Sequence, residues 1–366
     1  MKKYAAIILS AGYSSRMGEF KPVMDLHGQI AIKKVINTFK KSNINNIYVV
    51  SGHNHDLIEN IVDVEVVHNK YFDKGMLESV KTGLSQLPED IDAFFVLPVD
   101  IPCIKVSTLK TIIDEYGQGN YTVIHPAFSN IKGHPPLIST SISKKILDYN
   151  GSGGLKHILS FYKDNSKTVQ VADRGILLDM DNKKDYKAIL DYISYFPYPD
   201  EIECKEIMRI CNVDEKTKLH MESVAQLARV IGLKLNENGC NININLTYTG
   251  ALLHDIKKGE KQHAKQGAIT ISKLGYPCLY EVIKSHMDIS DITKIGEREI
   301  IYVCDKLIKE TQVVDINERH ISLINRYKDC EDAIDNINKR FDTAKKIKNM
   351  IEEIIGCQIE DLQTKG

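Results

Sequence analysis

The stretch that decides the fold of the N-terminal half is Leu9-Ser10-Ala11-Gly12-Tyr13-Ser14-Ser15-Arg16-Met17-Gly18-Glu19-Phe20-Lys21. It follows an apolar strand predicted over residues 4–9 and combines two glycines with fixed positive charge. Gly12 and Gly18 let the backbone turn tightly and approach a ligand closely, and exposed N–H groups in such a loop form an anion site. The loop therefore predicts polyphosphate binding at the carboxyl edge of a parallel sheet.

The spacing of this loop differs from that of two common nucleotide-binding motifs. Five residues separate Gly12 from Gly18, and Glu19 follows, whereas the Walker phosphate loop has four residues between its glycines and then Lys-Ser or Lys-Thr. The dinucleotide motif G-x-G-x-x-G is absent from the loop as well. A glycine-rich surface loop with incidental charges is the alternative interpretation.

The composition limits the classes of partner. The chain has 366 residues and a formal net charge of −1, so we expect no nucleic acid partner and no attraction to an anionic membrane. Its eight cysteines form no C-x-x-C pair, which predicts reduced thiols and a cytoplasmic protein. No run approaches the ~18 apolar residues of a membrane span, so we expect no membrane association.

Short apolar runs alternate with helical segments in the first half of the chain. This alternation is typical of βαβ units, and the continuous apolar runs predict an α/β domain with a mostly parallel sheet and helices on both faces. The predicted strands cover residues 4–9, 46–50, 64–68, 93–97, 121–125, 168–171 and 176–180.

A domain border is predicted at Phe196-Pro197-Tyr198-Pro199, because two prolines in three residues break the helical pattern. We assign residues 1–195 to the α/β domain, 196–202 to a linker, and 203–366 to an all-helical domain. In the last part, amphipathic helices are predicted over residues 217–235, 246–257, 263–274, 279–286, 297–310 and 329–355.

Two acidic residues are candidates for a magnesium site beside the loop. Asp100 follows the apolar strand 93–97, and Asp181 follows the strand predicted over 176–180. Carboxylate oxygens are the ligands that Mg²⁺ prefers. A helix cap is the alternative role for Asp100, and Asp179 and Asp185 compete with Asp181 for the metal.

A second set of titratable residues lies in apolar helical stretches of the second half. Its members are His220, the pair His254-Asp255, and Asp305, with His263 and His286 available for a second metal. Mixed histidine and aspartate shells suit Mn²⁺, Fe²⁺, Zn²⁺ or Ni²⁺, and such metals activate water for attack on phosphoesters. A lone histidine on an apolar face is more often a core residue, but a His-Asp pair with further partners favours a metal site.

The motifs of the first 195 residues resemble, in order, those of the MobA-like NTP transferase family, which includes the molybdenum cofactor nucleotidyltransferases. The loop matches the signature L-A-A-G-x-S-x-R-M-G-x-x-K except for Ser10 in place of alanine. Further departures are Leu77-Glu78, where small polar residues are common, and Asn182-Lys183-Lys184 in place of Thr-Pro-Glu. The other matching motifs are Gly75-Met76-Leu77-Glu78-Ser79, Leu97-Pro98-Val99-Asp100-Ile101-Pro102, Gly133-His134-Pro135, Gly153-Gly154 and Asp179-Met180-Asp181.

This resemblance implies a Rossmann-like nucleotidyltransferase domain that uses Mg²⁺ and releases pyrophosphate. Ala11-Gly12, Gly75-Met76 and Gly133-His134-Pro135 look like the cytidylyl-transferring branch. That branch implies CTP as donor, a molybdopterin-type cofactor as acceptor, and a molybdenum hydroxylase apoenzyme as a partner.

The same resemblance assigns roles to individual residues. It implies catalysis by Arg16, Lys21 and Asp100, and metal binding by Asp100 and Asp181. The implied nucleotide-binding residues are Leu9, Ala11, Gly12, Ser14, Arg16, Gly18, Lys21, Gly75, Ser79 and Asp100.

The second half resembles the HD-domain phosphohydrolases, which carry His, then His-Asp, then Asp on an all-helical fold. The order His220, His254-Asp255, Asp305 matches that pattern. The resemblance implies a metal-dependent phosphohydrolase of unassigned substrate, with these four residues as metal ligands.

Two other functions fit the same motifs. One is a nucleotidyltransferase whose acceptor is a sugar, isoprenoid or choline phosphate. The other is a nucleotide sensor or cofactor carrier with a regulatory HD domain, which the intact Arg16, Lys21, Asp100 and His254-Asp255 disfavour.

Overall fold

The computed structural model describes residues 2–15 and 17–362, and the chain divides after Ser194 into two units, each with its own contacts. The first unit ends at Ser194 and the second begins at Tyr195. None of the described helices is both long enough and apolar enough to cross a membrane.

A mixed sheet forms the centre of the first unit. In the described residues it has eight strands: β1 (Tyr4–Ser10), β2 (Asn46–Ser51), β3 (Glu65–His68), β4 (Ala93–Pro98), β5 (Val123–Phe128), β6 (Ile131–Lys132), β7 (Leu137–Ser139) and β8 (Ser166–Gln170). The helices are α1 (Ala31–Lys41), α2 (His55–Ile61), α3 (Met76–Leu84), α4 (Val106–Gln118), α5 (Ser143–Leu147), α6 (Gly154–Ser160) and α7 (Lys183–Ser194).

The strand order is β3-β2-β1-β4-β7-β5-β6, with β8 also paired to β5. β1 runs parallel to both β2 and β4, and β5 runs parallel to β8. β7 is antiparallel to β4 and to β5. The mostly parallel sheet is therefore confirmed. Two antiparallel strands, the inserted β7 and the edge strand β6, were not predicted because they have only three and two residues.

β1 is buried on both faces because helices cover both sides of the sheet. Ala6 and Ile8 belong to one apolar cluster, which includes side chains of α1 and α4. Ile7 and Leu9 belong to the other, which includes side chains of α3 and α6. The strand is thus fixed from both sides, and its carboxyl end gives the following loop a firm base.

The strand predicted over residues 176–180 is wrong. A short 3-10 turn, Arg174–Leu177, takes its place, and the side chain of Asp173 caps it by accepting a hydrogen bond from the Gly175 amide. A Cβ at Gly175 would lie 2.2 Å from the carbonyl oxygen of Cys103. The chain therefore makes a tight turn against its neighbour here.

The second unit is largely helical. Its helices are α8 (Glu201–Ile210), α9 (Glu215–Glu237), α10 (Ile244–Leu253), α11 (His263–Lys273), α12 (Tyr280–Lys284), α13 (Glu297–Leu307), α14 (Ile316–Arg326) and α15 (Glu331–Ile355). Two short strands, β9 (Ile308–Lys309) and β10 (Gln312–Val313), pair antiparallel. Glu310, with φ of 59°, lies in the turn between them.

Two local predictions for the second unit need correction, and one helix had no prediction. The linker predicted over residues 196–202 contains the start of α8, whose N-cap Asp200 forms a reciprocal capping box with Glu203. The helix predicted over 297–310 ends at Leu307, where the hairpin begins. α14 was not predicted, and of its residues only Ile316 is buried, which leaves little apolar pattern to read.

Candidate active sites

The loop after β1 turns back on itself and presents Lys21 to the edge of the sheet. Ser14 adopts φ of 56°, and its hydroxyl accepts a hydrogen bond from the Lys21 amide at 3.1 Å. Met17 donates its amide hydrogen to the carbonyl oxygen of Ser14 at 3.0 Å. These contacts fold the loop so that its last cation lies beside its first residues.

Lys21 joins two acidic residues from later parts of the chain. Its Nζ lies 3.1 Å from Oδ2 of Asp100 and 2.8 Å from Oδ1 of Asp181. The Met180 amide donates to the carbonyl oxygen of Asp100 at 2.9 Å, which holds the two acidic segments side by side. Burial lowers the pKa of Lys21, but the hydrogen bonds and charges of the two aspartates outweigh it and raise the pKa overall.

Negative charge accumulates beside Lys21. Burial raises the pKa of Asp179, and the charges of Asp181, Asp100 and Asp185 raise it further against the opposing effect of Lys21. The carboxylates gathered around Asp179 favour a bound cation. Two convergent carboxylates are the donor set that Mg²⁺ prefers, so Asp100 and Asp181 could hold this metal.

A cavity of about 220 Å³ opens next to this charge cluster. Glycine is required where the chain passes behind it, because a Cβ at Gly52 would lie 2.8 Å from the carbonyl oxygen of Ala11 and 2.6 Å from Cγ of Phe72. Tyr13 donates its hydroxyl hydrogen to Asp73 at 2.7 Å and so links the loop to the segment that contains Phe72, which lines the cavity. The residues that line the cavity are Leu9, Ser10, Ala11, Gly12, Ser14, Lys21, Pro22, Phe72, Gly75, Met76, Ser79, Pro98, Val99 and Asp100.

Imidazoles and carboxylates converge at a separate position in the second unit. One ligand atom from each of His220, His254, Asp255 and Asp305 lies within 4.8 Å of the others. Nε2 of His220 is 3.1 Å, and Nε2 of His254 is 3.5 Å, from Oδ1 of Asp305. α9 carries His220 and α13 carries Asp305, whereas His254 and Asp255 follow directly after the end of α10.

A second group shares one carboxylate with the first. Nε2 of His263 and Nε2 of His286 lie 3.3 Å and 3.4 Å from Oδ1 of Asp255, whereas Oδ2 of Asp255 lies 3.6 Å from Nε2 of His254. The two imidazole nitrogens are 3.3 Å apart. This arrangement could hold two metal ions bridged by Asp255.

The hydrogen bonds of three histidines fix which nitrogen faces the cluster. Nδ1 of His220, His254 and His286 lies next to the carbonyl oxygens of Glu310, Ala251 and Ile283, at 3.3, 2.7 and 2.7 Å respectively. A carbonyl only accepts, so each Nδ1 carries a hydrogen, and in the neutral imidazole the lone pair is then on Nε2, which faces the cluster. Lone pairs of nitrogen and oxygen therefore face one another across the cluster.

Lone pairs that face one another in this way favour a cation bound between them. Among the described residues, the buried Nε2 of His254 has no hydrogen-bond partner. Burial lowers the pKa of His254, yet the carboxylates of Asp255 and Asp305 outweigh it and raise the pKa overall. The pKa of Asp305 is well below its usual range, because Lys306 and the histidines overcome the effect of burial. The donor set and its electrostatics fit a divalent transition metal.

Comparison with protein families agrees with this division into two sites. A family model described as the MobA-like NTP transferase domain matches residues 6–168, and one described as the HD domain matches residues 218–329. The chain joins a MobA-like NTP transferase domain to an HD domain.

Individual relatives are similar to the transferase domain. The molybdenum cofactor cytidylyltransferase of Escherichia coli (strain K12) is 24% identical over 191 residues, which cover 51% of this chain and 95% of that protein. The bifunctional protein GlmU of Staphylococcus saprophyticus is 28% identical over 141 residues, which cover 37% of this chain and 31% of that protein. The structure of a nucleotidyl transferase from Methanothermobacter thermautotroptrophicus has 19% identity and a TM-score of 0.47, and the match covers 53% of this chain and 99% of that one.

The transferase domain brings most of its predicted site residues to one place. Eight of the ten predicted nucleotide-binding residues line the small cavity: Leu9, Ala11, Gly12, Ser14, Lys21, Gly75, Ser79 and Asp100. Gly18 has φ of 77° but is not among the lining residues. Arg16 lies outside the described residues. Asp181 is connected to the site by its ion pair with Lys21.

A larger cavity of about 1270 Å³ in the transferase domain adjoins the small one through Gly75, Met76 and Pro98. Glu78 is the one acidic residue among its described lining residues, which include two partly buried histidines and four lysines: His125, His134, Lys74, Lys132, Lys156 and Lys163. Burial lowers the pKa of His134 and lowers that of His125 to about 4. The wall is therefore basic through its lysines, with neutral imidazoles.

Sequence reasoning missed two features of these sites. The contact of Tyr13 with Asp73 carries no sequence signal, because it joins two exposed positions 60 residues apart. In the HD domain, Lys306 is buried against Asp305. The sequence shows that Lys306 follows the predicted metal ligand Asp305, but it does not show that the lysine is buried.

Proposed function

We propose that this chain is a bifunctional enzyme. Its transferase domain moves CMP from CTP onto a molybdopterin-type cofactor and releases pyrophosphate, and its HD domain hydrolyses a phosphorylated compound. The observation that carries the first part is the meeting of Lys21, Asp100 and Asp181 beside the cavity of the signature loop.

Two observations support CTP and a molybdopterin-type acceptor. Ala11-Gly12 and Gly133-His134-Pro135 have the form found in the cytidylyl-transferring branch. A molybdenum cofactor cytidylyltransferase also aligns with this chain over 95% of its own length. A molybdenum hydroxylase apoenzyme would then receive the product. The eight cysteines form no disulfide, which favours the cytoplasm as the location.

In the proposed transfer, a phosphate oxygen of the acceptor attacks the α-phosphorus of CTP. The bond from this phosphorus to the β-phosphate oxygen breaks, and pyrophosphate leaves. A phosphate monoester has a second pKa of about 6, so the acceptor is already ionised at neutral pH and needs no strong base. The protein aligns the two phosphates and offsets the charge of the leaving group.

Lys21 and the loop amides supply that charge in the transferase domain. The Lys21 ammonium is held at the mouth of the cavity, where a phosphate oxygen can replace one of its carboxylate partners. Mg²⁺ held by Asp100 and Asp181 would polarise the phosphate oxygens. The large basic cavity receives the anionic acceptor next to the nucleotide, since Gly75, Met76 and Pro98 belong to both cavities.

In the HD domain, His220, His254, Asp255 and Asp305 would hold one divalent metal, and His263 and His286 would join Asp255 around a second. Divalent metals in such a shell polarise a phosphoester and activate water for attack. Because a backbone carbonyl accepts the Nδ1 hydrogen of His220, His254 and His286, the neutral form of each ring directs the lone pair of Nε2 toward the metal position.

A screen that follows pyrophosphate release tests the transferase part. The four nucleoside triphosphates are each offered with molybdopterin and with sugar, isoprenoid and choline phosphates, in the presence of Mg²⁺. We expect pyrophosphate release only when CTP is offered together with molybdopterin. Pyrophosphate release with another phosphorylated acceptor would mean that this acceptor, and not molybdopterin, is the substrate. Tight CTP binding without turnover would favour a nucleotide sensor.

A further inference from the structure

Lys306 is a buried cation inside the HD site. The residue is only 5% exposed. Its Nζ donates to the carbonyl oxygen of His286 at 2.5 Å and to Oδ2 of Asp305 at 3.0 Å, and it lies 4.1 Å from the ring centroid of Tyr302. The ammonium therefore contacts residues that belong to both candidate metal positions.

The contact between Lys306 and Asp305 decides which carboxylate oxygen of Asp305 faces the histidines. Oδ2 accepts from Lys306, whereas Oδ1 faces Nε2 of His220 at 3.1 Å and Nε2 of His254 at 3.5 Å. Rotation of the carboxylate away from the histidines would break the bond to Lys306. The lysine thus favours the one orientation in which Oδ1 joins the cluster.

The contact with His286 acts on the other group. Its carbonyl oxygen accepts from Lys306, while its Nδ1 donates to the carbonyl oxygen of Ile283 at 2.7 Å. Backbone and ring of His286 are both fixed, and its Nε2 is held 3.4 Å from Oδ1 of Asp255. One ammonium therefore ties the end of α12 to α13.

Stability alone does not account for a lysine here. A buried ammonium loses its hydration, and a buried ion pair that is replaced as a whole by apolar side chains of similar volume is often as stable or more so. An ammonium has three donors with no acceptor, which suits it to hold a carboxylate and a carbonyl together. Groups that orient metal ligands in this way typically alter metal affinity when they are removed.

We propose that Lys306 is a positioning residue of the HD metal site, which sets the orientation of Asp305 and holds His286 in place. The proposal rests on the proposed function of the HD domain as a metal-dependent hydrolase. It assigns no chemical step to Lys306 itself.

The test is a Mn²⁺ titration of the full chain, followed by the electron paramagnetic resonance signal of free and bound Mn²⁺. Asp100→Asn and Asp181→Asn are present throughout, so that the transferase site does not contribute. Lys306→Met should weaken Mn²⁺ binding by about 10- to 100-fold and change the spectrum of bound Mn²⁺. Lys306→Gln keeps one amide donor but cannot bridge both acceptors, so it should also bind more weakly, and it decides the outcome if the Met variant does not fold.

Lys348→Met is the matched control. Lys348 is 7% exposed in the same unit and bonds Glu352 and Glu360, away from the cluster. Its loss should lower the unfolding midpoint but leave Mn²⁺ affinity and spectrum unchanged. Folded Lys306 variants with the parent affinity and spectrum would overturn the proposal. If the parent chain binds no more Mn²⁺ than its His254→Ala variant, the HD domain has no metal site at His254, and the proposal fails for that reason.

Discussion

The ammonium nitrogen of Lys21 lies 3.1 Å from Oδ2 of Asp100, although 79 positions separate the two residues in the sequence. The same nitrogen lies 2.8 Å from Oδ1 of Asp181. One cation of the signature loop is therefore joined to the acidic residues at the edge of the sheet. The transferase account depends on this charge cluster, and the first prediction concerns it.

Asp100→Asn should lower the rate of pyrophosphate release by about 10²- to 10³-fold. The amide keeps the shape of the side chain but removes the charge that pairs with Lys21 and would hold Mg²⁺. A coupled pyrophosphate assay measures the effect. Asp185→Asn is the control, because Asp185 lies in the same acidic region but bonds Asn182 at 2.6 Å. Equal loss in both variants would mean that general charge, and not the position of Asp100, is what matters.

His254→Ala should lower the metal content of the HD domain and abolish its phosphoester hydrolysis, while nucleotidyl transfer continues at the wild-type rate. The reason is that Nε2 of His254 is buried and faces two carboxylates, and the transferase cluster uses other residues. Metal content and both activities are measured on the same sample. His320→Ala is the control, since His320 stacks on Phe341 at 4.8 Å and is not in the cluster. Loss of both activities in His254→Ala would contradict separate sites.

Gly52→Ala should weaken CTP binding and destabilise the first unit by about 1–3 kcal/mol, the usual cost of overpacking. The new Cβ would lie 2.8 Å from the carbonyl oxygen of Ala11, so the signature loop has to move. Gly117→Ala is the matched control, because Gly117 lies in α4 with nothing within 4 Å of its Cβ position. It should be neutral or stabilise by about 0.5–1 kcal/mol. Unchanged CTP affinity and stability in Gly52→Ala would refute the close approach.

The stability of the first unit should fall as the pH drops from about 6.5 toward 4, in part through His125. Burial lowers the pKa of His125 to about 4, whereas the unfolded chain has the ordinary value of 6.5. Below pH 6.5 the unfolded state binds a proton that the folded state does not, so the contribution of neutral His125 is complete above 6.5 and is lost toward 4.

Thermal unfolding of wild type and His125→Gln across this pH range measures the contribution. The glutamine does not titrate, so the midpoint of the wild type should fall more steeply with decreasing pH than that of the variant. Parallel curves would show that His125 is not held neutral by burial.

Much of the transferase site could be predicted because its signals are local. The glycines of the loop and the apolar run of β1 place the loop at a strand end, and Asp100 directly follows another strand. The same reasoning failed at residues 176–180, where an apolar pattern forms a turn because Gly175 packs against the backbone of Cys103. Apolar character alone does not report such a contact.

The second unit shows the same limit of prediction from sequence. The order of its histidines and aspartates predicted the group that the structure brings together. The start of α8 was missed although Asp200 and Glu203 have the spacing of a capping box, because the prolines before it favoured a linker. Lys306 was missed because a charged residue on a helix is normally solvated, and the tertiary contact that brings its Nζ to the carbonyl oxygen of His286 has no sequence signal.

Label transfer from CTP tests the central claim most directly. The full chain is incubated with Mg²⁺, a molybdopterin acceptor and CTP labelled at the α-phosphorus, beside its Asp100→Asn variant. We predict that the label enters the acceptor in amounts equal to the pyrophosphate released, and that Asp100→Asn loses this transfer. Label that stays out of the acceptor, or transfer that is undiminished in Asp100→Asn, would contradict the account.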